Sequence, residues 1–157
     1  MALFTSHPDR QTLLEEYIMS TWSITLPHGA GQRDKYFDEV ENALTQFDLP
    51  DVKIKRQEVV TQNKEGKVTP ILRRCLFVEC GTFKTYFSAQ DYGKHLVLSQ
   101  INEAIVSKMS VFQKEGVSAY LSFIRAAREA AVEKMAKELN QDLSKLQTQS
   151  EGTIDIV

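Results

Sequence analysis

The sequence is poor in the residues that build compact chemical sites. Its 157 residues include two cysteines, three histidines, four prolines and one tryptophan. Cys75 and Cys80 stand in a stretch that reads as one strand. Their separation is roughly 16 Å in an extended chain, and its odd parity puts them on opposite faces. They cannot bridge each other without a sharp bend. They read as reduced core or half-buried thiols of an intracellular protein. There is no C-x-x-C pair, and His7, His28 and His95 are scattered, so zinc spacing is absent. No metal and no cofactor is expected. No apolar run approaches the roughly 18 residues of a membrane span, and the start lacks a basic segment followed by an apolar one. The expected location is cytoplasmic. G-x-S-x-G and the glycine patterns of nucleotide loops are also missing. No catalytic residue is assigned, and the balance is against an enzyme.

What is present is ordinary globular material. A hydrophobic share of 42% and a charged share of 25% suit one domain with a real core. The net charge of -2 gives no overall drive towards nucleic acid or an anionic membrane. The charge is unevenly spread: residues 1–50 carry 3 basic against 8 acidic side chains, and residues 51–100 carry 9 against 5. Either an acidic helix lies against a basic sheet within one fold, or a basic face is offered to a partner. The first is the simpler reading.

The densest β signal runs from Pro70 to Gln100. Three apolar runs, Ile71 to Val78, Tyr86 to Ala89 and Leu96 to Leu98, are separated by turn clusters at Cys80-Gly81-Thr82 and at Gln90 to Lys94. This predicts an antiparallel meander, with Gly81 and Gly93 free to take positive φ. Before it, the pattern predicts a helix from Asp9 to about Ser20, an alternating strand from Ile18 to Leu26 and a loop at Pro27 to Gly31. An amphipathic helix follows from Arg33 to Phe47, with Tyr36, Phe37, Val40, Ala43, Leu44 and Phe47 on one face. A strand over Asp51 to Gln62, a polar turn and a strand starting near Val68 complete the first half. After the meander, the spacing of Ile101, Ala104, Ile105, Met109 and Phe112 predicts a helix from Gln100 to about Lys114. A long second helix from Ser118 to about Leu146 completes an αα-hairpin.

The expected fold class is α+β: an antiparallel four- to five-stranded sheet packed against helices, with the long C-terminal helix in the hairpin. Its order of elements is similar to that of helix-grip folds, and in element order only. Residues 1–146 form the expected domain, with the distal part of the last helix projecting. Residues 147–157 are a polar linker and a β-prone tail.

Each candidate site has a plain structural counterpart. Pro27 to Gly31 precedes a helix N-terminus, where anions can bind, but Asp34, Asp38 and Glu39 would repel a phosphate. His28 or His95 as general base lacks an attached nucleophile. Lys53, Lys55, Arg73, Arg74, Lys84 and Lys94 suggest a basic sheet face for nucleic acid, yet Arg73 and Arg74 point to opposite faces. Trp22, Phe77, Phe83, Tyr86 and Phe87 would line a ligand pocket between sheet and helix, or simply fill the core. Met135, Leu139, Leu143 and Leu146 on the distal helix and Thr153, Ile154, Ile156 and Val157 in the tail offer contacts to another chain. Such a tail can add a strand to a sheet edge. The leading expectation is therefore a non-enzymatic protein-interaction or assembly subunit, with self or a foreign protein as partner. A small-ligand-binding or hydrolytic domain is the alternative, and nucleic-acid binding ranks third.

Overall fold

The computed structural model describes residues 10–152. In chain order they form β1 (Arg10–Leu14), a 3₁₀ turn (Glu15–Tyr17), β2 (Ile18–Leu26), α1 (Arg33–Phe47) and β3 (Val52–Gln62). There follow β4 (Arg73–Cys80), β5 (Phe83–Tyr92), β6 (His95–Glu103), a 3₁₀ turn (Val106–Lys108) and α2 (Val111–Glu138). A last 3₁₀ turn (Leu143–Lys145) leads into β7 (Thr148–Gly152). The strands make one sheet in the order β1-β3-β4-β5-β6-β2-β7. Only the β1–β3 pair is parallel. The fold is α+β as expected, but the sheet has seven strands, not four to five.

The meander forms where its pattern places it. Gly81 and Gly93 take φ of 61° and 62° in the two tight turns. The first helix spans Arg33–Phe47 and buries Tyr36, Phe37, Val40 and Leu44. It ends at Asp48, whose left-handed φ of 50° turns the chain.

Other elements differ from the sequence expectation. The segment expected as a helix to Ser20 is strand β1, a 3₁₀ turn and the start of β2. Leu13 buries as a strand residue, and β3 is long enough to offer β1 a partner over Glu58 to Gln62. Val68 makes only an isolated bridge to Gln62, and β4 begins later, at Arg73. The helix expected from Gln100 does not form. Ser99 to Glu103 stay in β6, because β2 and β5 flank them on both sides. There is thus no αα-hairpin: one helix begins at Val111, where Ser110 and Gln113 form a reciprocal capping box. Gly116 lies inside it, at an exposed position that costs the helix about 1 kcal/mol and does not break it.

The long helix also ends sooner than its leucines suggest. Asn140 takes φ of 57°. Its N–H reaches the Lys137 carbonyl at 3.0 Å, and the Gln141 N–H reaches Ala136 at 2.8 Å. This is a Schellman stop with asparagine in the left-handed position. The distal turns lie in the core, where Ala131, Val132, Met135 and Ala136 are all buried. The end that runs clear is the first one: every residue from Val111 to Gly116 is exposed.

Both helices pack on one face of the sheet. Tyr36, Phe37, Val40, Ile124, Ala127 and Met135 meet Leu76, Val78, Phe83, Phe87, Leu96 and Leu98 there. The opposite face carries a smaller cluster of Leu13, Val59, Cys75, Phe77 and Tyr86. That cluster is buried because the sheet curls over it. From β1 to β2 is five strand steps, about 24 Å if flat. The connection from Leu14 to Ile18 reaches about 14 Å at most. The sheet must close up, and it does so towards the face away from the helices. The Leu14 N–H there donates to Glu103 Oε2 at 2.8 Å, and the Ala104 N–H to the Tyr17 carbonyl at 3.0 Å.

The uneven charge is answered inside the fold. Arg56 of β3 bonds Asp38 at 2.5 Å and Glu41 at 3.3 Å on α1. Lys134 meets Glu39 at 2.6 Å, and Lys35 pairs with Glu138, joining α1 to α2.

Candidate ligand-binding groove

The helix-facing side of β6 starts apolar, with Leu96 and Leu98, and then turns polar at Gln100 and Asn102. Both amides are buried beneath α2. An amide left unpaired there would cost about 1–3 kcal/mol, so the surrounding side chains form a chain of bonds. Gln100 Nε2 donates to Asn102 Oδ1 at 3.1 Å, and Thr85 Oγ1 donates to the same oxygen at 2.9 Å. Asn102 Nδ2 donates to Ser20 Oγ at 2.7 Å. The Tyr120 hydroxyl, on α2, reaches Thr85 Oγ1 at 3.5 Å.

The other end of this chain is a cation. Arg128 of α2 lies between buried Ile124 and Val132 on the inward stripe, with a side chain only 12% exposed. Its Nη1 donates to Gln100 Oε1 at 3.0 Å. The guanidinium carbon sits 4.0 Å from the centre of the Trp22 ring, a close cation–π contact. Its acidic neighbour, Glu129, comes no nearer than 3.8 Å and is mostly exposed. Its Nε is buried with no hydrogen-bond partner. Burial lowers the guanidinium from its ordinary pKa, and nearby Arg125 adds to that effect.

These residues line a groove of about 510 Å³ between α2 and the strands β2, β6 and β7. Ser20, Trp22, Gln100 and Asn102 form its floor, Leu121, Arg125 and Arg128 its helical wall, and Ser150 its far rim. The volume is within the range of small-molecule sites. Chemically, the groove can orient a polar guest. Among the described residues lining it, no hydroxyl is hydrogen-bonded to a general base.

The five aromatics expected to line a pocket go to three places. Phe83 and Phe87 are buried in the helix-side core, Phe77 and Tyr86 in the inner cluster, and Trp22 on the groove floor. Tyr86 also belongs to an inner polar tie: its hydroxyl donates to Glu103 Oε1 at 2.7 Å. Burial, then the Glu103 charge, holds that hydroxyl well above its ordinary pKa. Burial likewise pushes the Cys75 thiol up to about 12, while Cys80 lies on the other face. Both thiols are free.

Of the residues offered as partner contacts, Met135 is buried in the core, and Leu139 and Leu146 pack partly against it. Leu143 is 37% exposed. Thr153, Ile154, Ile156 and Val157 lie outside the described residues. The strand that does form near the C-terminus, β7, pairs with β2 of the same chain.

His28 and His95 come together at one end of the sheet, ring centres 5.7 Å apart, and the His28 N–H donates to His95 Nδ1 at 3.3 Å. Asp91 accepts from the Gly31 N–H at 3.1 Å beside them. Among the described residues no group of side chains is arranged to hold a metal ion, and no helix is long and apolar enough to cross a membrane. The basic strand residues are interleaved with acids: Lys53, Glu79 and Lys84 stand side by side across β3, β4 and β5.

Arg125 and Arg128 are absent from the sequence-derived candidates, because charges on a helix usually mark its solvated face. The available signal was position. Arg128 is four residues from Ile124 and four from Val132, on the stripe that faces inward.

Compared with protein-family models, with curated proteins and with solved structures, the chain has no match.

Proposed function

We propose that this chain is a non-enzymatic binding domain that holds a small polar molecule in the groove between α2 and strands β2 and β6. The observation that carries it is the line of buried polar side chains, Arg128, Gln100, Asn102 and Ser20, at core positions that open onto a groove of about 510 Å³. A helix packed on a sheet has no structural need for such a line, since leucine would serve there.

Trp22 is the only tryptophan and forms the groove floor, so its emission reports occupancy. The test is a titration of the full chain with a panel of small hydroxylated metabolites, read at Trp22. At least one should give a saturable change that is weakened by Leu121→Phe, which narrows the groove at its apolar wall. No saturable change with any compound, or changes indifferent to Leu121→Phe, would sink the reading.

The interaction reading keeps a specific observation of its own. Val111 and Phe112 are 79% and 81% exposed on the free first turn of α2. A contact with another chain would bury them there, rather than the distal turns that hold Met135. Light scattering after size exclusion on the chain and on a Val111→Ser, Phe112→Ser variant separates the possibilities. A wild-type oligomer that the variant dissolves supports this second reading, and monomers in both cases remove self-assembly through this surface.

A further inference from the structure

We infer that the ligand of this groove is a small hydroxylated monocarboxylate anchored by Arg128. The inference rests on the groove reading above and adds the chemical class.

A guanidinium presents five N–H donors in a fixed fork. Arg128 uses Nη1 on Gln100, and its Nη2 meets Glu129 only at 3.8 Å, beyond hydrogen-bond range. Nε is buried without a partner. Nε and Nη2 are the edge that a carboxylate grips with two parallel bonds. Trp22 supports the guanidinium from one side at 4.0 Å, and Gln100 holds its other end at 3.0 Å. Engaging a carboxylate with both nitrogens requires the guanidinium to turn over Trp22 so that the buried Nε faces the groove.

The charge sets the valence. Among the described residues, Arg125 and Arg128 line the groove against Glu129, one positive charge in excess. Among the described residues Arg125 has no acidic partner. A single negative charge is neutralised there, whereas a phosphate dianion would leave the groove negative. The remaining polar lining groups, Ser20, Asn102 and Ser150, are hydroxyls and an amide, which suit hydroxyl groups on the guest. Leu121 supplies one apolar wall for its carbon chain.

The experiment uses the full chain labelled with ¹⁵N, reading the Arg128 Nε–H and the Trp22 indole N–H by NMR. The probes are gluconate, sorbitol with comparable hydroxyls but no carboxylate, and inorganic phosphate. Gluconate should shift both signals saturably, with sorbitol and phosphate binding more weakly. Arg128→Gln should weaken gluconate about ten- to a hundredfold. Should that variant fail to fold by circular dichroism, the exposed Arg125→Gln should still weaken it about two- to fivefold. If sorbitol moves Trp22 as readily as gluconate, the groove reading stands and the carboxylate inference falls. Phosphate binding as tightly as gluconate would overturn the single-charge argument. If no probe moves either signal, the carboxylate inference falls, while the groove reading is decided by the wider panel titrated at Trp22.

Discussion

Replacing Tyr86 by phenylalanine removes one hydroxyl from the inner face of the sheet and nothing else. The ring keeps its place against Phe77, whose centre lies 5.2 Å away. What is lost is the 2.7 Å bond to Glu103 Oε1 and the longer, 3.5 Å bond that Gln11 Nε2 donates to the hydroxyl. Glu103 is 4% exposed, so water is poorly placed to replace that donor. A hydrogen bond to a carboxylate contributes about 1.5–3 kcal/mol. For a domain of this length that corresponds to about 3–12 °C in Tm. Glu103 Oε2 also holds the Leu14 N–H at 2.8 Å, where β1 gives way to the turn leading into β2. The variant should therefore loosen that tie as well as destabilise the whole. Urea unfolding measures the first effect, and hydrogen exchange at the Leu14 amide the second. A loss under about 0.5 kcal/mol, with Leu14 exchange unchanged, would refute the claim that this bond helps hold the curled sheet.

Four further outcomes follow from the same structure. Cys75, with its thiol pushed up to about 12 from an ordinary 9.0, should resist alkylation at pH 8 while Cys80 reacts first, as read by mass spectrometry of labelled peptides. Because the raised value belongs to the folded state, the unfolded chain loses that proton first; this group's contribution to stability should fall as pH rises from 9.0 to about 12. Stopping the chain at Leu146 removes β7 and leaves Ser20 to Ile24 as an unpaired edge, so light scattering should show larger species, not a cleaner monomer. Asn140→Ala should cost about 1–2 kcal/mol in urea unfolding because of its left-handed φ of 57°, whereas Asn140→Gly should be close to neutral.

The parts of the fold that sequence pattern revealed are those whose burial is one-sided and apolar. The stripe from Tyr36 to Leu44 and the three runs of the meander are of that kind. The second half of β6, from Ser99 to Glu103, was hidden by the very residues that make the groove. Gln100 and Asn102 occupy positions where alternation predicts apolar side chains, so the strand pattern stops at Leu98. The apolar residues that remain, Ile101, Ala104 and Ile105, then mimic a helical stripe. Leu139, Leu143 and Leu146 extend the apparent helix in the same way, while the stop depends on the backbone of Asn140, which spacing does not record. β7 is held by backbone pairing to β2, and its sequence Thr-Gln-Ser-Glu-Gly carries no apolar signal. Arg128 and Trp22 are far apart in the chain, and only the β2–β6 pairing beneath α2 brings them together.

The most direct test of the groove as an anion-attracting binding site is collisional quenching of Trp22 emission. Iodide and caesium, matched for ionic strength and normalised to free N-acetyltryptophanamide, report the local charge sign at the one tryptophan. With Arg125 and Arg128 beside it, iodide should quench Trp22 more efficiently than caesium, and Arg125→Gln should narrow the gap. Equal normalised quenching by the two ions, or a preference for caesium, would contradict the account.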